Sequence, residues 1–252
     1  MQPKVIRYDT VHSTNTIAWE LAEKGCEDAT VVLAARQDGG RGRLTRCFQS
    51  PPGGLYMSVV LRPDLPPASR SLITIAAGLA CADAIRRCCA IDVALKWPND
   101  MYLADRKVGG ILSESSPYFS SESHRSFVVV GIGINVNTPL DSFSPELRDT
   151  VTSLYDAEKS EYDIEALLRE ILRQLYGVLP LLAGEQHKVF ARWRARDYLL
   201  ERMIRWRNPQ GDILTGYGAG LLEDGQYLIR TADGCEHPIL AGDILIPMEI
   251  HE

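Results

Sequence analysis

The stretch DVALKWPNDMYL, residues 92–103, alternates into a strand, breaks at Pro98 and Asn99 for a turn, and resumes as a second extended run. The turn presents an amide and a carboxylate, Asn99 and Asp100, side by side. Asn-Asp after proline is also ordinary turn chemistry, so the segment alone reads as a hairpin and nothing more. Its neighbours decide what the hairpin carries.

Downstream, RKVGGILSES (106–115) and SFVVVGIGINVN (126–137) read as strands. Their glycines have no β-carbon to pack, which suggests that something approaches the backbone closely there. Upstream, SRSLITIAAGLACADAIRRCC (69–89) has the length and periodicity of a core helix. Before it, TVVLAARQ (30–37) and GGLYMSVVLRP (53–63, closed by Pro63) read as strands. In HSTNTIAWELAEKG (12–25), Ser13, Thr14 and Asn15 precede an apolar stripe and Gly25 stops it, so a helix begins at or just after Ser-Thr-Asn. A long helix is expected from 160, with a capping box pairing Ser160 and Asp163 and leucines and isoleucines at helical spacing. A shorter helix, HKVFARWRAR (187–196), follows. Beyond it the texture changes to short strands punctuated by Gly-Asp and Asp-Gly pairs, as in a small β-barrel.

Between the strands at 30–37 and 53–63 lies GGRGRLTR, residues 39–46. Arg36, Arg41, Arg43 and Arg46 stand against Asp38 alone, in a chain whose net charge is −6. Glycines let several guanidiniums fold over one ligand, and each guanidinium can grip phosphate oxygens in a bidentate manner. A solvated basic turn is the plain alternative. The loop is no Walker motif, so phosphates would be held by side chains. Lys107 beside Gly109 and Gly110, and Asn135 closing GIGIN, are further candidates for a ligand site.

Composition narrows the classes. With 252 residues, 45% hydrophobic and 24% charged, the chain reads as globular, one large domain with a small appendage. No stretch approaches the roughly 20 apolar residues of a membrane span, and the polar start lacks a signal-peptide core, so a cytoplasmic protein is expected. The acidity and the absence of a long basic run argue against nucleic acid. Six cysteines, Cys26, Cys47, Cys81, Cys88, Cys89 and Cys235, show no Cys-x-x-Cys spacing, and buried reduced thiols without a zinc site are expected.

In their order and separations, Ser-Thr-Asn, Gly-Arg-Gly-Arg, Lys-Trp-Pro-Asn-Asp, Lys-x-Gly-Gly-Ile-Leu and Gly-Ile-Gly-Ile-Asn make this sequence resemble the biotin protein ligases over almost its whole length. The resemblance implies an α+β fold: a mixed sheet with flanking helices, like class II aminoacyl-tRNA synthetases, in residues 1–196, then an SH3-like β-barrel in 197–252. It implies an ATP-dependent ligase that forms biotinyl-5′-AMP and transfers biotin to a lysine of a carboxylase's biotin carboxyl carrier protein. Biotin would be bound by Ser13, Thr14, Asn15 and Gln37. Arg41, Gly42 and Arg43 would close over biotin and the adenylate phosphate, Lys107 would meet the reacting carboxylate and phosphate, and Gly109 and Gly110 would line the biotin pocket. Arg46, Asn99, Asp100 and Asn135 fall on the nucleotide side, with Asp100 near Mg²⁺-bound phosphates and Asn135 near adenine. Arg43 and Lys107 are the implied catalytic pair. No metal ligand set can be named.

Two departures from the family loop stand out: Thr45 where a third glycine is usual, and Phe48 where tryptophan is. Thr45 resists positive φ, and Phe48 keeps an aromatic wall but loses an N–H. Only a dozen residues precede Ser13, so a ligase without the DNA-binding domain of the bifunctional repressors is expected. Homodimerisation is allowed by this reading; a membrane or nucleic-acid partner is not. Competing readings are a lipoyl or octanoyl transferase of related fold and a non-catalytic biotin sensor, with a transcriptional regulator last.

Overall fold

The computed structural model of the chain describes residues 3–43, 46–116, 126–208, 210–240 and 242–246. Thr45 lies outside them.

The elements of the first part are β1 (Lys4–Val11), α1 (Thr14–Glu23), β2 (Thr30–Gln37), β3 (Leu55–Leu61), α2 (Leu72–Cys89), β4 (Ala94–Lys96), β5 (Asp100–Leu103), β6 (Arg106–Ser115), β7 (Val128–Ile134), α3 (Leu154–Glu158), α4 (Ile164–Val178) and α5 (Gln186–Arg194). The strands form one sheet in the order β1-β2-β3-β7-β6-β5-β4. It is mixed because β1 runs parallel to β2 while the other neighbours are antiparallel.

Strand alternation divides the core between the two faces. Val32, Val60 and Val129 turn to the face covered by α1, where they meet Ala18 and Ala22. Val31, Val59 and Val130 turn to the other face, against α2 and α4. All seven residues of β3 are buried, and Ser58 interrupts their otherwise apolar run. α5 is tied to α2 by Arg192, and the residues just after it by Arg196, both of which pair with Asp83.

The second part holds β8 (Met203–Arg207), β9 (Ile213–Leu221), β10 (Tyr227–Arg230), β11 (Glu236–Ile239) and β12 (Asp243–Leu245). They make an all-antiparallel sheet, β11-β10-β9-β8-β12, of the kind an SH3-like barrel supplies. The chain therefore has the α+β class expected of it.

Two expectations are corrected, and one strand is added to those expected. The capping box does not form at Ser160: α4 starts at Ile164, and Asp163 itself is the N-cap, accepting from Ala166 N at 3.0 Å. Of the cysteines only Cys81 is buried, since Cys47, Cys88 and Cys235 are exposed and Cys26 and Cys89 lie between. Cys88 keeps the helical spacing but sits with Arg86 and Arg87 on the end of α2 that reaches solvent. β1 was not foreseen, because it is an edge strand with a mostly exposed, polar face.

Candidate active site

The N-terminus of α1, the loop after β2, the β4–β5 turn and the middle of β6 and β7 converge on one cleft. It is lined by Ser13, Thr14, Asn15, Gln37, Arg41, Gly42, Arg43, Arg46, Asn99, Asp100, Lys107 and Gly110, among others. Residues far apart in sequence are thus brought together as expected, with two exceptions. Gly109 and Asn135 are not among the lining residues.

One end of the cleft is a connected set of polar groups, neutral except for the Glu114–Arg41 ion pair at its edge. Thr14 donates to Gln37 Oε1 from its N–H at 2.8 Å and from its hydroxyl at 3.1 Å, and Gln37 Nε2 donates to Ser50 Oγ at 2.8 Å. The buried Ser58 hydroxyl of β3 lies 2.8 Å from Thr14 Oγ1 and 2.6 Å from Asn15 Oδ1. Asn15 Nδ2 donates to Leu112 O at 3.2 Å and to Glu114 Oε2 at 2.7 Å. Ser13 is the N-cap of α1, yet its side chain makes no capping bond.

The glycines of β7 have a definite use. A β-carbon at Gly131 would stand 2.1 Å from Asn15 Oδ1, and one at Gly133 would stand 2.6 Å from the Phe48 ring. What approaches this backbone closely is the protein's own Asn15 and Phe48.

The arginine loop returns on itself. Gly42 N donates to Arg46 O at 2.7 Å and Phe48 N to Gly40 O at 2.8 Å. Arg41 Nη2 reaches Glu114 Oε2 at 2.6 Å, while Arg43 Nη1 lies 3.4 Å from Asn99 Oδ1 on the β4–β5 turn. That turn is braced from the second sheet: Trp97 Nε1 donates to Gly225 O at 3.0 Å.

Lys107 owes its place to a β-bulge. Met101 pairs with Gly109 and Tyr102 with Lys107, so Val108 is an extra residue on β6. A regular strand would put Lys107 on the face of Gly109, which packs against Gly133 O and Met101. The bulge re-aims it. Lys107 Nζ instead lies 2.7 Å from Asp100 Oδ1 and 3.4 Å from where a β-carbon at Gly110 would be. It also sits 5.9 Å from the centre of the Phe48 ring. Its backbone is pinned on the far side, its N–H donating to Thr150 O and its carbonyl accepting from Thr152 N. Asn135 supports that contact, donating to Thr152 O at 2.9 Å, and its buried Oδ1 has no hydrogen-bond partner among the described residues.

Chemically the cleft pairs a neutral hydrogen-bonding end with a cationic end, and bare backbone at Gly110 lies between them. Among the described residues no three His, Cys, Asp or Glu side chains cluster as a metal site. Sequence reasoning missed Ser58, Glu114, Gly242 and Ile244, the last two of which line the cleft from the second sheet. Glu114 and Ser58 carry no local signal, since only strand pairing brings them to Asn15.

The model of the biotin/lipoate A/B protein ligase family matches residues 8–135. The bifunctional ligase/repressor BirA of Bacillus spizizenii is 37% identical over 97% of this chain and 74% of its own length. The chain belongs to that family. The biotin--[acetyl-CoA-carboxylase] ligase of Mycobacterium tuberculosis is 28% identical over 92% of this chain and 85% of its own. Among solved structures, the biotin protein ligase of Aquifex aeolicus in complex with biotin and ATP superimposes with a TM-score of 0.82 at 29% identity, covering 96% of this chain and 97% of that one.

Proposed function

We propose that this family member is an ATP-dependent biotin protein ligase that makes biotinyl-5′-AMP and passes the biotinyl group to a lysine of a biotin carboxyl carrier protein. The reading rests on one observation: Lys107, Arg43 and Arg46 line the same cleft as Thr14 and Gln37. A ligand lying along that cleft has a neutral polar head at one end and anions at the other. Biotin's ureido ring and carboxylate match that division, and the ligase structure from Aquifex aeolicus holds biotin and ATP.

Joining a carboxylate to an α-phosphate brings two anions together, so the site must supply positive charge before the atoms meet. Lys107 and Arg43 do this. The carboxylate oxygen attacks the α-phosphorus, the bond to the β-phosphate oxygen breaks, and pyrophosphate leaves. Gly110 lets the reacting group lie against the strand. Arg41, Gly42 and Arg43 close over the mixed anhydride and keep water from it. Then the acceptor lysine's amine attacks the acyl carbon, AMP departs, and an amide remains. Asn135, buried and outside the cleft lining, acts behind the site by holding Thr152 O, next to the backbone contact of Lys107.

Mg²⁺ fits this donor set in one way. With Asp100 the carboxylate at the cationic end and no clustered ligand set among the described residues, the ion would be held by nucleotide phosphates beside Asp100 and would draw charge from them. Residues 1–196 form the catalytic domain in this reading and 197–252 the appended barrel. No described helix is long and apolar enough to cross a membrane, and we assign the activity to the cytoplasm.

The test is intact-mass analysis of a carrier domain incubated with this protein, biotin, ATP and Mg²⁺. Addition of one biotinyl group, dependent on every component, is expected. An adduct formed with lipoate and not with biotin would make the protein a lipoyl transferase instead.

A further inference from the structure

Glu114 lies seven residues beyond Lys107 on β6, outside every motif that marks the cleft. A single carboxylate oxygen, Oε2, receives both Asn15 Nδ2 at 2.7 Å and Arg41 Nη2 at 2.6 Å. The contact joins the helix end that carries Ser13 and Thr14 to the first arginine of the loop. We propose that Glu114 is a positioning residue for biotin capture, acting through Asn15 and Arg41, an assignment that rests on the ligase reading of the cleft.

The hydrogen-bond count of Asn15 supports this. Its two amide hydrogens go to Leu112 O and Glu114, and its oxygen lies against Ser58. An asparagine amide has two donors, so none remains for a ligand. Asn15 is a strut that fixes the α1 end; Thr14 spends its own donors on Gln37 Oε1, and Gln37 keeps one amide hydrogen, beyond the one given to Ser50, for the ligand.

Arg41 gains more. Gly40 and Gly42 flank it, and its guanidinium is tethered at its tip by Glu114. The pair is partly exposed, with side chains 44% and 28% accessible, so it adds little to global stability. Its effect is on orientation: one of five guanidinium donors is spent, and the rest are held over the cleft before the ligand arrives. Arg43 and Lys107 lie on other partners, Asn99 and Asp100, so the nucleotide end keeps its geometry without Glu114.

The experiment is biotin-dependent exchange of labelled pyrophosphate into ATP by wild type, Glu114→Ala and Glu114→Gln. Loss of a hydrogen bond to a charged group predicts a rise in the biotin KM of about tenfold for Glu114→Ala. The ATP KM, kcat and melting temperature stay near wild type. Glu114→Gln, which keeps an acceptor oxygen, recovers most of the biotin KM. A biotin KM within twofold of wild type in Glu114→Ala would overturn the assignment. So would a parallel rise of both KM values with a lowered melting temperature, the mark of a merely structural residue. Wild type without any biotin-dependent exchange would instead overturn the ligase reading beneath it.

Discussion

Lys107 Nζ stands 2.7 Å from Asp100 Oδ1, held there by the bulge at Val108. The ammonium is thereby fixed at the cationic end of the cleft by a carboxylate on the neighbouring strand, with both side chains partly open to solvent.

In the proposed mechanism Lys107→Ala removes a charge from the reacting centre and leaves the strand intact. We expect biotin-dependent pyrophosphate exchange to fall by about 10²–10³-fold, the usual cost of losing a transition-state donor. The melting temperature should change little, because a partly exposed pair contributes little stability. Exchange near the wild-type rate would remove Lys107 from the mechanism.

Arg43 lines the cleft from the loop and approaches Asn99. Arg43→Gly opens the loop over the anhydride, so biotinyl-5′-AMP escapes and labels bystander lysines. Blotting an unrelated protein incubated with the variant, biotin and ATP should show labelling that wild type lacks. A variant that stays selective and fully active would end the retaining role of Arg43.

Two glycines give opposite expectations. Gly131→Ala drives a methyl into Asn15, and should destabilise by about 1–3 kcal/mol while raising the biotin KM. Gly177, inside α4, has nothing within 4 Å of its would-be β-carbon, so Gly177→Ala should stabilise by about 0.5–1 kcal/mol without touching activity. Thermal melts of both variants, with the biotin KM of each, check the pair. A Gly131→Ala protein as stable and active as wild type would refute the packing of Asn15.

Burial pushes the Asp197 carboxyl up to about 6, against bonds from Leu199 N and Tyr227 that favour its charged form. Its folded value is raised above the usual carboxylate value of 3.8, so the proton is held more tightly in the native state. The resulting stability is full below the unfolded value and is lost as pH rises through about 6. Stability measured against Asp197→Asn should therefore decline between roughly pH 4 and pH 6.5, by about 1–2 kcal/mol. A difference that is flat across that window would show Asp197 to be ordinary.

Local patterns made much of this legible. The runs at Thr30–Gln37 and Arg106–Ser115 were readable because their apolar, β-branched content and turn signals bound them on both sides. α2 and α4 followed from the spacing of buried residues. β1 escaped because five of its eight residues are exposed, so no alternation toward a core is visible. At the site, the motifs carried Lys107 and Asp100 but not the bulge between their strands, which arises from pairing. For the same reason Gly109 and Gly110 looked equivalent although they face opposite sides. Glu114 and Ser58 stayed silent, since each matters only through a residue on a distant element. GIGIN announced a close approach without saying that Asn15 and Phe48 make it.

The central claim is that this cleft couples biotin's carboxylate to AMP before any acceptor is present. Exchange of labelled pyrophosphate into ATP, run with and without biotin and with no carrier protein, measures that step alone. Label entering ATP only when biotin is added is the predicted result. No exchange in biotin's presence, from folded protein with ATP and Mg²⁺ supplied, would contradict it.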